Sequence, residues 1–290
     1  MTTAEEYRSG KTSKGENFPV ASALIRSVYR APILAYYRFA RSADDVADHP
    51  MLSPQSKLAL LDRLEATLLG RSDDDPAALP LRSEIRARGL SSTHALDLLT
   101  AFRLDITKHR YQDWGELLHY CRYSALPVGR FVLEVHGESR ATWAASDALC
   151  AALQIINHLQ DCARDYKALD RVYVPLDMLA ANGVTVEALG AAKSSPGLRA
   201  SLRSVATRVA ALLPEAAQLP RVVKDPRLGI ETAVILALAQ KLMSLLLRRD
   251  PLSQRVHLTH VEVLAAAAGA VTVTLVSGLR KRGARRHGET

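Results

Sequence analysis

The stretch Gln154-Ile155-Ile156-Asn157-His158-Leu159-Gln160-Asp161-Cys162-Ala163-Arg164-Asp165-Tyr166 decides how this chain is read. At 3.6 residues per turn it lines Gln154, Asn157, Asp161 and Asp165 along one face of a helix, while Ile155, Ile156, Leu159 and Cys162 give the rest a buried character. Two carboxylates one turn apart on a rigid helix, preceded by two amides, suit an oxygen-coordinated Mg2+ that carries phosphates better than they suit a packing surface.

Toward the N-terminus the pattern recurs in Arg41-Ser42-Ala43-Asp44-Asp45-Val46-Ala47-Asp48. With 30 acidic residues in the chain, one such aspartate pair arises by accident, and its bland reading is an exposed helix face. Two pairs are harder to dismiss. Ala43, Val46 and Ala47 surround the first and Leu159 and Cys162 the second, so both predict carboxylates in apolar company that need a cation. Two such helices facing each other across a bundle would hold Mg2+ between them and leave coordination positions for diphosphate oxygens.

The rest of the chain reads as helix. From Pro19 the pattern turns helical, and Pro32 is expected to open a second helix that carries Tyr37, Arg41, Asp44 and Asp48 on one stripe and stops at Pro50. Apolar spacing predicts helices over 54–69, 79–88, 92–108, 113–136, 143–166, 198–213, 226–249 and 258–279. Asp73-Asp74-Asp75-Pro76 reads as a solvated turn, and 170–175 as a short Pro-terminated connection. No useful run of alternating hydrophobicity appears, so the fold class is all-α, a bundle with a central cavity, in one domain over 1–290 with 1–15 and 280–290 as flexible tails.

Composition narrows the function. A chain of 290 residues, 48% of them hydrophobic, can bury a large core. The net charge of +8 and pI near 9.5 would admit nucleic acid, but aromatic content is 5% and no nucleic-acid motif is present, which favours an anionic small molecule or a membrane surface. Cys121, Cys150 and Cys162 form no CxxC pair and fall in helical segments, as reduced, buried thiols would. Gly10-Lys11-Thr12-Ser13 lacks the earlier glycine of a phosphate loop, since Glu5 stands there. The polar, mixed-charge N-terminus carries no leader pattern, so a cytoplasmic location is expected. The apolar runs 228–247 and 261–279 read as buried helices rather than membrane spans, and the basic block 280–287 allows peripheral contact with anionic lipid. The oligomeric state is left open.

With these motifs in place, the sequence resembles the squalene/phytoene synthase family, the head-to-head trans-isoprenyl diphosphate synthases. The likeness runs from Glu16 to about Leu279 and is carried by Asn17-Phe18-Pro19-Val20, Phe39 to Asp48, Tyr120-Cys121-Arg122-Tyr123-Ser124-Ala125-Leu126-Pro127-Val128-Gly129, Gln154 to Asp165, and Arg171-Val172-Tyr173-Val174-Pro175. The resemblance implies an isoprenoid-synthase bundle in which Asp44, Asp45, Asp48, Asp161 and Asp165 bind Mg2+. It further implies that Arg41, Asn17, Gln154, Asn157, Gln160, Arg171 and Tyr173 lie at the substrate, and that Tyr120 guides ionisation and proton movement.

Gln160, where arginine is usual, together with Glu16 to Val20, Thr107 to Trp114 and Pro127 to Gly129, is similar to the bacterial hopanoid-pathway branch. That branch takes presqualene diphosphate and adds water to give hydroxysqualene, with no NADPH expected. Loss of a fixed positive charge accords with handling one diphosphate instead of two. Leu126, where asparagine is expected, and Leu104, where glutamine is more usual, depart from the pattern. Two alternatives stay open: joining two prenyl diphosphates to squalene, dehydrosqualene or phytoene, and a non-catalytic scaffold of the same fold.

Overall fold

A computed structural model describes residues 3–4 and 25–272, and the expectations that rest on 5–24 and 273–290, including Asn17 and the basic block, lie outside the described residues. The elements are helices: α1 (Ser27–Asp48), α2 (Pro54–Leu68), α3 (Leu79–Arg88), α4 (Thr93–Thr107), α5 (Trp114–Ser124), α6 (Leu126–Val135), α7 (Trp143–Leu169), α8 (Leu176–Ala180), α9 (Pro196–Ala210), α10 (Leu213–Ala216), α11 (Leu219–Val222), α12 (Pro226–Arg248) and α13 (His260–Thr272). Among the described residues the β structure is a single parallel bridge between Arg110 and Val172.

Several starts follow from one local device, a Ser or Asp cap followed by Pro at the first helical position. Ser53 caps α2 by accepting from Ser56 N at 3.1 Å, Ser195 caps α9 from Leu198 N at 3.2 Å, and Asp225 caps α12 from Arg227 N at 2.9 Å. The proline occupies a position where its missing N–H would have had no intrahelical partner.

α7, 27 residues and so about 40 Å long, runs through the middle and is packed by α5, α6, α9, α10 and α12. Its apolar face, including Leu149, Ile155, Ile156 and Leu159, belongs to the larger core with Leu117, Val205 and Leu242. A second core joins α1, α2, α3 and α4 through Ile33, Phe39, Leu61, Leu64, Leu81 and Leu99. α4 and α6 serve both cores: Ala101 and Leu133 face the first, and Leu98, Phe131 and Val135 the second. α12 is long and apolar enough to cross a membrane, with 56% of its most apolar window buried against the protein.

Three sequence expectations are corrected. Pro32 lies inside α1 rather than at a helix start. It sits within the first two turns, where the orphaned carbonyl is that of Val28, a residue 54% exposed, so water can replace the lost bond. The helix expected over 113–136 breaks at Ala125 (φ −126, ψ −45), because the Pro127 ring cannot follow a continuous helix without meeting the carbonyl of Tyr123. Asp75 is not solvated but fully buried, accepting from Ala4 N and Ala77 N, both at 3.1 Å, so it ties residue 4 to the α2–α3 connection.

α7 ends where Asp170 adopts the left-handed conformation (φ 51), tolerated by Asp better than by most residues, with its carboxylate paired to Arg110. The chain then runs extended: Val172 N donates to His109 O at 2.9 Å. Alternation along this segment turns Arg171 and Tyr173 to one side, toward α4.

Candidate active site

The polar faces of α1 and α7, the end of α4 and the segment after α7 converge on one enclosed region. Asp44 keeps a third of its side chain accessible. Its carboxyl is raised to about 7, first through burial and then through Asp48, with Asp105 and Asp45 adding and Arg41 opposing. On α7 Asp165 is raised to about 6 by burial, then by Asp161, and Asp48 contributes from α1. The two aspartate pairs are therefore close enough to repel one another, which the sequence pattern alone could not establish.

The expectation that these carboxylates lack cationic neighbours is corrected by three arginines. Arg41 Nη1 lies 2.8 Å from Asp44 and its Nη2 3.1 Å from Asp45; Arg164 Nη2 lies 2.7 Å from Asp161 and its Nε 3.6 Å from Asp165. Arg171 Nη1 lies 2.6 Å from Asp48, a link between residues 123 apart in sequence. Asp45 is almost wholly buried against Arg41, whereas Asp44 and Asp48 keep accessible carboxylates. Burial works against the charge of Arg171, but Asp105 and Asp48 outweigh it and hold the guanidinium protonated.

Asp105, on the last turn of α4, is the residue that sequence reasoning missed. Its oxygens accept from Tyr120 Oη at 3.1 Å and Tyr173 Oη at 3.2 Å, and its carbonyl accepts from Arg171 Nε at 3.2 Å. Burial raises its carboxyl to about 6 against the opposing pull of Arg171. Its signal was present: it stands four residues after Ala101 and seven after Leu98, an acid on a stripe that is otherwise core.

Tyr173 is sandwiched between His158, whose ring stacks at 3.5 Å and 13°, and Tyr111 at 5.6 Å and 18°, while Tyr120 leans on all three at 5.2 to 6.0 Å. Burial pushes the phenols of Tyr120 and Tyr173 well above their usual range, with Asp105 adding to it, so both remain neutral donors. Gln154 Nε2 lies 3.1 Å from His158 Nε2. Asn157 lies half-buried on the same helix face. Gln160 points elsewhere: it is buried and its amide donates to the Val256 carbonyl, anchoring the chain after α12 to α7. Leu104 and Leu126 both pack against the main core.

The donor set fits Mg2+ with a diphosphate. It consists of carboxylate oxygens in two pairs, one on α1 and one on α7, of which Asp44 and Asp165 are raised by burial and then by a neighbouring aspartate. Among the described residues no three carboxylate, imidazole or thiolate groups converge, and Mg2+ at phosphate sites is ordinarily held by one or two carboxylates together with phosphate oxygens. The cysteines take no part: all three are free, and burial pushes Cys121 and Cys162 up to about 12.

An all-α bundle that closes two aspartate-bearing helices around a polar cavity is the isoprenoid-synthase arrangement, and the squalene/phytoene synthase model matches residues 11–262. The chain belongs to the squalene/phytoene synthase family. It is 56% identical to a hydroxysqualene synthase of Rhodopseudomonas palustris over 276 residues, covering 95% of this chain and 94% of that one. A hydroxysqualene synthase of Sinorhizobium fredii is 54% identical over 271 residues, 93% of each chain. Among solved structures, squalene synthase HpnC from Alicyclobacillus acidocaldarius superposes with a TM-score of 0.71 at 32% identity, covering 83% of this chain and 90% of that one. A dehydrosqualene synthase in complex with ligand, 20% identical, shares the fold with a TM-score of 0.76 over 93% of this chain and 94% of its own.

Proposed function

We propose that the protein is a hydroxysqualene synthase: an enzyme that ionises presqualene diphosphate, rearranges the carbocation and captures it with water, releasing hydroxysqualene and diphosphate. What supports the reaction class is that Asp48 acts on Asp165 across the two helices, and that Asp44 and Asp165 are raised by burial and by a neighbouring aspartate, which calls for cationic charge. The high identity to proteins named hydroxysqualene synthase, over more than nine tenths of both chains, supports the branch.

In this reading Asp44, Asp48, Asp161 and Asp165 hold Mg2+, with Asp45 bracing Arg41 behind them. Bound there, Mg2+ would supply the positive charge that makes diphosphate a good leaving group. The chain's own residues do the rest. Arg41 and Arg171 set the carboxylates in place and lend charge to the diphosphate, and Gln154 and Asn157 offer amides toward the same face. Asn17 belongs to the substrate set by its place in the matching segment. Tyr120 offers a neutral ring to a passing carbocation, and Asp105 fixes its hydroxyl and that of Tyr173, whose own faces are taken by His158 and Tyr111. We assign Gln160 an indirect part, through the segment it holds at Val256. The reading needs no nicotinamide cofactor and treats the chain as one domain acting in the cytoplasm.

A product assay tests this. Enzyme with Mg2+ and presqualene diphosphate should yield the alcohol, whereas turnover of farnesyl diphosphate alone to a hydrocarbon would support the second reading, the squalene and dehydrosqualene synthases among the structural relatives. Product formation by a variant carrying both Asp44→Asn and Asp161→Asn would refute the metal assignment.

Peripheral membrane contact rests on the basic block 280–287, and α13 adds exposed Val261 (76%) and Leu264 (70%), with Lys241 and Arg249 near its first turn. Sedimentation with anionic vesicles, before and after deletion of residues 280–290, tests it.

A further inference from the structure

Three of the cations that meet at this site are spent on carboxylates: Arg41 on Asp44 and Asp45, Arg164 on Asp161, and Arg171 on Asp48. A fourth is not. Lys57, in the first turn of α2, forms no ion pair with any described residue. Its Nζ donates instead to the Ala47 carbonyl at 2.8 Å, and that carbonyl belongs to the peptide joining Ala47 to Asp48. The ammonium is thus held at the backbone of an aspartate assigned to the metal, by a neutral acceptor, with two of its three N–H donors uncommitted.

Packing puts it there. Lys57 lies one turn before Leu60 and Leu61 on the buried face of α2, so its stem follows that face to the end of α1 while the charge reaches the rim. The place is poor for a cation left to itself. Lys57 is half-buried, and the first turn of α2 turns the positive end of its helix dipole toward it. Burial and then the Arg171 guanidinium push the ammonium below its usual range, with Asp48 opposing. The last turn of α1, which has no basic residue of its own, offsets part of this. Two neighbouring cations that share one carboxylate are suited to an anion that bridges them.

We infer that Lys57 is a diphosphate-binding residue, forming with Arg171 a two-cation clasp at the end of α1 that takes oxygens of the diphosphate. This rests on the reading above, in which the substrate is a prenyl diphosphate held beside Asp48. On ionisation the bond electrons stay with the diphosphate, so the clasp holds the departing anion more tightly than the esterified group and favours its release from carbon. A lysine suits a group that shifts as it leaves, because its ammonium is a point charge with rotatable donors.

Calorimetric titration of inorganic diphosphate into the full chain with Mg2+ tests this without turnover. Wild type, Lys57→Gln, Lys57→Met and Lys57→Arg are compared, and a melting curve of each ligand-free protein identifies the folded variants. Lys57→Gln keeps a donor for the Ala47 carbonyl without the charge, and Lys57→Met keeps the apolar stem. Absence of binding by wild type would sink the reading of the site, and this inference with it, before any variant is considered. Given wild-type binding, the neutral variants should bind diphosphate about tenfold or more weakly, as expected for losing a hydrogen bond to a charged group, and Lys57→Arg should recover most of the loss. If Lys57 only braced α1, the neutral variants would melt earlier yet bind as wild type does. Wild-type affinity in either folded neutral variant overturns the inference, and so does a Lys57→Arg protein that binds no more tightly than Lys57→Gln.

Discussion

Replacing Asp44 by asparagine should make the metal-free protein more stable at neutral pH while abolishing its activity. The wild-type carboxyl is raised from 3.8 to about 7, and an acid whose folded value is raised contributes stability that is complete below the unfolded value and is lost as pH climbs toward the folded one. At 1.36 kcal/mol for each tenfold change in proton affinity between 3.8 and about 7, the loss above about pH 7 is at most about 4 kcal/mol. A third of the side chain stays accessible, so solvent screening reduces this to about 1–2 kcal/mol. The asparagine side chain, an isostere of the protonated acid, carries no such cost. Urea unfolding without Mg2+ should therefore find Asp44→Asn more stable than wild type by about 1–2 kcal/mol near pH 8, with the gap closing near pH 4. Mg2+ with inorganic diphosphate should then raise wild type alone. A gap of the same size at both pH values, or a destabilised variant near pH 8, would refute the argument that Asp44 is held against its charge.

Arg171→Ala should cost about 3 kcal/mol in denaturant unfolding, because it leaves Asp105 buried and Asp48 uncompensated, and Arg171→Lys should recover only part of this, since a single ammonium cannot reach Asp48 and the Asp105 carbonyl together. Gly129→Ala should destabilise by about 1–3 kcal/mol, as the added carbon would fall 2.4 Å from Ser146 Oγ and 2.6 Å from Cys150 Sγ; the same change in a Ser146→Ala, Cys150→Ala background should be tolerated. Cys121 and Cys162 should react with a thiol reagent only as fast as the protein opens, so adding denaturant should release them together with the loss of helical signal.

How much of this was legible beforehand depended on whether the determining interaction was local. The faces of α1 and α7 follow from helical spacing, and so do the starts of α2 and α12 at Pro54 and Pro226, whereas α9 begins at Pro196, two residues before the start that apolar spacing predicts. Pro32 misled because a proline is read as a start signal, whereas its cost within the first turns depends on whether water reaches the freed carbonyl. Asp75 misled because what buries it is Ala4, 71 residues away. The missed part of the site is non-local in the same way. Nothing in the neighbourhood of Asp105 announces that two phenols from α5 and the segment after α7 will meet its carboxylate, and nothing around Gln160 announces that its amide will reach the Val256 carbonyl.

The bridge between Arg110 and Val172 has a bearing on the order of assembly. It pins the segment that delivers Arg171 to Asp48 and Tyr173 to Asp105, joining residues 123 and 68 positions apart. Contacts of such separation are slow to form, because the loop entropy must be lost before they contribute. α1 and α7 can thus be fully helical while the cavity between them is still open, and the chemistry can begin only after the last clasp closes. Catalytic competence would then lag behind the recovery of helix during refolding, and the interval between them would time the closing of this clasp.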